Sequence, residues 1–207
     1  MAGTTTHPQR SRSPQPAWEI ARIYPDQGCW DESDYLELDT NHLIEFSDGF
    51  VEVLPMPTQS HQLIVQFLSN ALLAFVTAGR LGRVLFAPLR VRLRKGRYRE
   101  PDVVFMLAAH KARMREKYWD GADLVMEVVS DDPESRERDL VTKRTEYAAA
   151  GIAEYWIVDP QERRVTVLAL QGKRYAVHGE FRPGQRATSR LLHGFSVNVS
   201  ATFAAGK

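Results

Sequence analysis

Residues 124–160 read LVMEVVSDDPESRERDLVTKRTEYAAAGIAEYWIVDP, and three elements are legible in them. Leu124 to Val129 is a short apolar run with a single acid, Glu127, the pattern of a central strand covered on both faces. Asp139 to Ala150 reads as a helix that Gly151 closes. Tyr155 to Val158 is a second apolar strand, stopped by Asp159-Pro160. Trp156 within it is read as core, and Glu154 just before it receives no catalytic role.

Upstream, PDVVFM (101–106) is another apolar run with one acid, Asp102. The charged connection from His110 to Trp119 links it to Leu124 and has room for a short helix. Leu89, Val91 and Leu93 alternate with Arg90, Arg92 and Arg94 before a Lys95-Gly96 turn, so one strand face is buried and the other basic. Val84 to Ala87 reads as a strand. From Gln59 to Ala78, Ile64, Phe67, Leu68, Ala71, Leu72 and Phe75 recur near the helical period, and Gly79 closes the segment. His42 to Phe46 and Phe50 to Leu54 flank Ser47-Asp48-Gly49, a hairpin signal that Pro55 and Pro57 end. Asp31 can cap a short helix running to Leu38. Downstream, Val165 to Leu170 pairs with the Tyr155 strand, and turn signals at Gly172, Gly179 and Pro183-Gly184 mark a β-rich remainder. This order predicts an α/β or α+β domain with a mixed sheet.

The 207 residues, 43% hydrophobic and 26% charged, exclude a coiled-coil rod, a collagen-like repeat and disorder throughout. Residues 1–17 are almost free of apolar side chains and read as a disordered tail, leaving 18–207 as a single domain. Lys plus Arg number 27 against 26 acids, a net charge of +1, so any nucleic-acid surface must be local. The single cysteine, Cys29, excludes an internal disulfide and a multi-cysteine zinc site. No run is expected to reach the length of a membrane span, and no signal-peptide core is legible. The expected location is the cytoplasm, with no membrane partner.

Asp102 and Glu127 are the informative pair, because a carboxylate in an apolar strand costs several kcal/mol unless its charge is compensated. If the two strands are neighbours, their acids converge, and a hard cation such as Mg2+ or Mn2+ would hold them together. The alternative is that each acid lies at a strand end, solvated or paired with arginine. Six basic residues, Arg90, Arg92, Arg94, Lys95, Arg97 and Arg99, precede Asp102 and would engage nucleic-acid phosphates, or equally form a solvated edge-strand face.

The acid-Val-Val-Ser segment at Glu127, then Arg138-Asp139, Lys143, Tyr147, Gly151 and Glu154-Tyr155-Trp156, joined with IEFSDGFVEVLP (44–55), SHQLI (60–64) and EPDVVF (100–105), closely resembles the Uma-two family. This is a restriction-endonuclease-like family within the PD-(D/E)xK nuclease superfamily, and the likeness spans roughly residues 30–200. The resemblance implies a mixed β-sheet flanked by helices, with Asp102 and Glu127 as metal-binding acids and the Val128 carbonyl as third ligand. The sequence departs from the superfamily pattern at Val129, where a lysine should stand. Lys143 on the following helix is the implied replacement, against the plain alternative of a surface lysine beside Arg144 and Glu146. Glu45 and His61 match a family acid and histidine that would contact metal, water or phosphate; a solvated strand acid and a helix-start polar residue are the alternatives. Tyr147 shares a helix face with Lys143 and is read as packing with a polar tip. The implied activity is Mg2+-dependent hydrolysis of DNA phosphodiester bonds, with a homodimer suited to cutting two strands. The alternatives are a catalytically inactive nuclease-fold module that binds nucleic acid or protein, and a hydrolase of another phosphate ester.

Overall fold

In the computed structural model, which describes residues 24–40 and 42–207, a short helix α1 (Glu32–Glu37) opens the fold. The expected tail over 1–17 lies outside the described residues. Asp31 caps α1 by accepting from the Asp34 N–H at 2.9 Å. Strands β1 (Ile44–Ser47) and β2 (Phe50–Val53) follow, joined by Asp48 and Gly49 at φ 48° and 94°. Two successive left-handed residues are what a tight hairpin turn demands. Helix α2 (Gln59–Gly79) runs one residue beyond the expected end, and Arg80, at φ 51°, takes the left-handed position instead of Gly79.

Next come β3 (Gly82–Phe86), β4 (Val91–Arg94), β5 (Arg97–Arg99) and β6 (Val103–Leu107). The charged connection holds a short helical segment at Ala108–Arg113 and a two-residue strand, β7 (Trp119–Asp120). Strand β8 (Leu124–Val128) leads into α3 (Pro133–Glu137), a widened π-type turn at Arg138–Thr142, and α4 (Lys143–Ala149). The helical path therefore starts six residues before the expected Asp139, where Asp132 caps it and Pro133 occupies its first turn. Strands β9 (Glu154–Asp159), β10 (Arg164–Gln171), β11 (Arg174–Phe181), β12 (Arg186–Thr188) and β13 (Ser196–Asn198) follow. The β-rich C-terminal region ends, unexpectedly, in helix α5 (Val199–Ala205).

The strands form a six-stranded sheet in the order β11-β10-β9-β8-β6-β3, a five-stranded sheet β2-β1-β5-β4-β7, and the pair β12-β13. Pairing is antiparallel except for β8 with β9 and β4 with β7, so both larger sheets are mixed. In the six-stranded sheet, Val103, Phe105, Leu124 and Met126 pack on Leu68 and Leu72 of α2. Val104, Met106 and Val125 pack on Tyr147 and Ala148 of α4 from the other side. Burial on both faces is why these strands read as continuous apolar runs. Contrary to the expectation from sequence, α2 is long and apolar enough to cross a membrane by length and composition. Its inner stripe nevertheless belongs to this core.

Trp156 is fully buried, and Glu154 beside it is an internal anchor. Its carboxylate accepts from Trp156 Nε1 at 2.7 Å, Ser189 Oγ at 2.6 Å, and the Arg190 and Leu191 N–H groups at 2.7 and 2.8 Å. Glu154→Ala strands these donors in the core, and urea denaturation is expected to show a loss of about 3–5 kcal/mol. A loss below about 1 kcal/mol would refute the anchoring role.

Candidate active site

The β6–β8 ladder ends at the pair Val103 and Met126. Two residues on, the Val128 N–H and C=O point toward the vacated side, and side chains take them. The Val128 N–H donates to Asp102 Oδ2 at 2.7 Å, and His61 Nε2 lies 2.9 Å from the Val128 carbonyl. The same Nε2 is 3.3 Å from Asp102 Oδ2. Two acceptors face it, so Nε2 carries the hydrogen. Thr58 seats this histidine in the first turn of α2 by capping the His61 N–H at 3.2 Å. Burial works against charge on the imidazole, but the hydrogen bond and charge of Asp102 hold its pKa above the usual value.

Glu127 projects from the opposite side of β8, toward α4. Its Oε1 accepts from Tyr147 Oη at 2.6 Å and from Lys143 Nζ at 3.0 Å. The i,i+4 spacing of Lys143 and Tyr147 on α4 lets both reach one carboxylate. Lys143 also lies 3.0 Å from Asp139 Oδ1 and 3.7 Å from Glu45 Oε1. The π-type turn sits between Asp139 and Lys143, a kind of insertion often found at functional sites. Glu45 is held by Arg99 Nη1 at 2.8 Å, and Arg99 Nε reaches Glu146 on α4 at 2.7 Å.

One cleft of about 50 Å3 is lined by Glu100, Asp102, Glu127 and Asp139, with Arg138, Lys143, His61 and Val128. Acids outnumber the two permanent cations. Burial, reinforced by the neighbouring charges of Asp102 and Asp139, pushes Glu127 up to about 8 against the pull of Lys143. Glu100 is raised to about 7, chiefly by burial, with the charge of Glu45 adding to it. Lys143 is held well above its ordinary value, because the surrounding carboxylates outweigh its burial. The directions agree: Lys143 keeps its charge among these acids, while burial makes Glu127 and Glu100 hold a proton more tightly than free carboxyls do.

Among the described residues, no group of three or more His, Cys, Asp or Glu side chains is arranged as a ready metal cage. Asp102, Glu127 and the Val128 carbonyl still suit a hard cation. Magnesium commonly takes one or two carboxylates and completes its shell with water or phosphate. Asp102 Oδ1 and Glu127 Oε2 accept no hydrogen bond from the described residues. A second cavity of about 230 Å3, lined by Met56, Asp131 and Asp132, adjoins the cleft through Pro55, Pro57, His61 and Ser130.

The structure thus brings Asp102, Glu127, Val128, Lys143, Glu45 and His61 together. The basic stripe lies differently. Arg92 pairs with Asp120 at 2.9 Å, Arg94 with Asp48 at 2.6 Å, and Arg97 with Asp48 and Glu146. Arg90 donates to the Leu36 and Leu38 carbonyls and stacks over Tyr35. Lys95 is exposed at the turn. Most of this charge is therefore engaged within the fold. Asp139, Tyr147, Arg99 and Glu100 were missed as site residues. The regular spacing of Asp139, Lys143 and Tyr147 along one helix was the available signal.

Mixed sheets flanked by helices, with Asp102 just ahead of β6 meeting Glu127 of β8 at the end of their ladder, define a nuclease-like fold. A crystal structure from Anabaena variabilis ATCC 29413, described as "a putative nuclease belonging to DUF820", shares it with a TM-score of 0.69. That match is 18% identical and covers 84% of this chain and 98% of the other. Residues 30–200 match the family model "Uma2: Putative restriction endonuclease", and the chain belongs to that family. No curated protein matches the sequence.

Proposed function

We propose that this chain is a divalent-metal-dependent endonuclease acting on DNA phosphodiester bonds. The observation that carries this reading is the convergence of Asp102, the residue just ahead of β6, and Glu127, in the adjacent antiparallel β8, on one cleft with the Val128 carbonyl and the Lys143 ammonium. A cation held by those three oxygen donors would polarise the phosphate and lower the pKa of the attacking water. Lys143, fixed by Glu127 and Asp139, would orient that water and offset developing negative charge. Tyr147 locks the Glu127 rotamer, and His61, with its proton on Nε2, holds Asp102 and the Val128 carbonyl in place.

Asp102→Ala is expected to weaken magnesium binding in calorimetry and to lower plasmid nicking by about two orders of magnitude or more. Wild-type nicking that is unchanged by Asp102→Ala at every metal concentration would sink the proposal. The buried, apolar Val129 at the superfamily's lysine position favours one second reading, a nuclease-fold module that binds without cutting. Salt-dependent DNA binding by a wild type that never nicks would support that module instead.

A further inference from the structure

Helix α2 carries no Lys, Arg, Asp or Glu in its 21 residues, in a chain where those types make up 26%. Its inner stripe is core, but Gln59, Gln62, Gln66, Asn70, Leu73 and Thr77 form an exposed outer stripe. Helices that face only water usually carry charge there. Depletion of charge is instead the mark of the centre of a protein–protein interface.

Beside this stripe runs β3, one of the two edge strands of the six-stranded sheet. The Leu81 carbonyl accepts from the Ala108 N–H at 2.8 Å, and the Ala87 N–H donates to the Asp102 carbonyl at 3.2 Å. Alternate residues of an antiparallel strand exchange both backbone bonds with one neighbour. Leu81, Arg83, Leu85 and Ala87 therefore address β6. Gly82, Val84 and Phe86 turn their N–H and C=O groups outward, where no strand lies among the described residues. Phe86 is 59% exposed and Leu73 47%. Between helix and strand lies a cavity of about 390 Å3, lined by Leu63, Val65, Gln66, Ser69, Asn70 and Phe86. An edge that carries a single charge, Arg83, beside an uncharged helix face is a template for another strand.

We propose that this face binds a second copy of the chain, with β3 of each copy pairing antiparallel about a two-fold axis through Val84. The patch is complementary to itself, as such an axis requires. Val84 meets its counterpart. Each Phe86 ring crosses to Gly82 of the other copy, an aromatic-over-glycine pairing suited to sheet edges. Arg83, the one charged residue of β3, falls opposite Leu85, so no like charges meet. The two α2 helices then lie on the same side of a continuous sheet, and their amide stripes face each other across the cavity. A polyanion finds no Lys or Arg on this helix and only Arg83 on β3, which disfavours nucleic acid here.

Sedimentation equilibrium on the full chain tests this, alongside Phe86→Glu and a Gln66→Glu/Asn70→Glu double variant, with thermal melts confirming that each folds. All three substituted residues are exposed. Wild type is expected to sediment at twice the chain mass. Both variants should dissociate about 100-fold more readily, the effect of opposing like charges in a desolvated contact. A wild type that stays monomeric to its solubility limit overturns the proposal, as does a dimer that neither variant weakens. Monomer that binds phospholipid vesicles, and loses that binding in the variants, would assign the face to a lipid surface instead. Mass is the readout, so the outcome stands whether or not the chain cuts DNA.

Discussion

At pH 8 and without divalent metal, Glu127→Gln is expected to resist urea better than wild type while losing cleavage. Glu127 is 3% exposed, and burial, with Asp102 and Asp139 nearby, raises its carboxyl to about 8. A carboxyl whose folded pKa lies above its unfolded value favours folding at low pH. That contribution is complete below the unfolded value near 4.5 and is lost as pH rises through about 8. Each pKa unit is worth about 1.4 kcal/mol, so removing the charge should gain on the order of 2–4 kcal/mol at pH 8 and almost nothing near pH 4. The glutamine carbonyl can still accept from Tyr147 and Lys143, so packing is preserved. Magnesium should then stabilise wild type at pH 8 and leave the variant nearly unmoved. Equal stability of the two proteins at pH 8 would show that Glu127 is not a costly buried charge. Stability traded for chemistry in this way is characteristic of active sites.

Much of the fold was legible because its strongest signals are local. The Asp48-Gly49 turn, the Gln59 to Gly79 helix and the apolar runs around Asp102 and Glu127 each follow from periodicity or backbone preference. Short elements were not legible. Strands β5 and β7 span three and two residues, and their pairing depends on tertiary partners that no local pattern encodes. The earlier helix start at Asp132-Pro133 was signalled by a cap followed by proline but hidden by the charged ESRER run that follows. At the site, residue types pointed to Asp102 and Glu127, whereas the links from Lys143 to Asp139 and from Arg99 to Glu45 needed three dimensions. The basic stripe illustrates the same limit. Alternation identified arginines on one strand, but their acidic partners come from the hairpin turn, β7 and α4.

Lys143→Met is expected to cut nicking by about 10²–10³-fold while leaving magnesium affinity equal to or greater than that of wild type. The argument begins at Val129. Side chains alternate along a strand, so position 129 faces the same side of β8 as Glu127, where a lysine would reach its carboxylate. Lys143 reaches that same oxygen from α4, at 3.0 Å, and so supplies the cation by another route. Removing it takes away positive charge at the reacting phosphate and also an ammonium that competes with a divalent ion for Glu127. Turnover and metal affinity should therefore move in opposite directions, which a purely structural lysine would not produce. Without Lys143, Glu127 and Asp139 lose their shared partner, and at pH 8 the metal-free variant should be less stable by about 3–5 kcal/mol. The sign of the pH dependence follows from the carboxyls: their folded pKa values rise further, so the lost stability returns as pH falls toward 5. Lys143→Arg keeps the charge but not the compact geometry, and should recover stability more fully than cleavage. If Lys143→Met nicks DNA at the wild-type rate, the lysine is a structural counter-ion, and the cation for the transition state must come from elsewhere in the cleft, with Arg138 and His61 as the groups to substitute next.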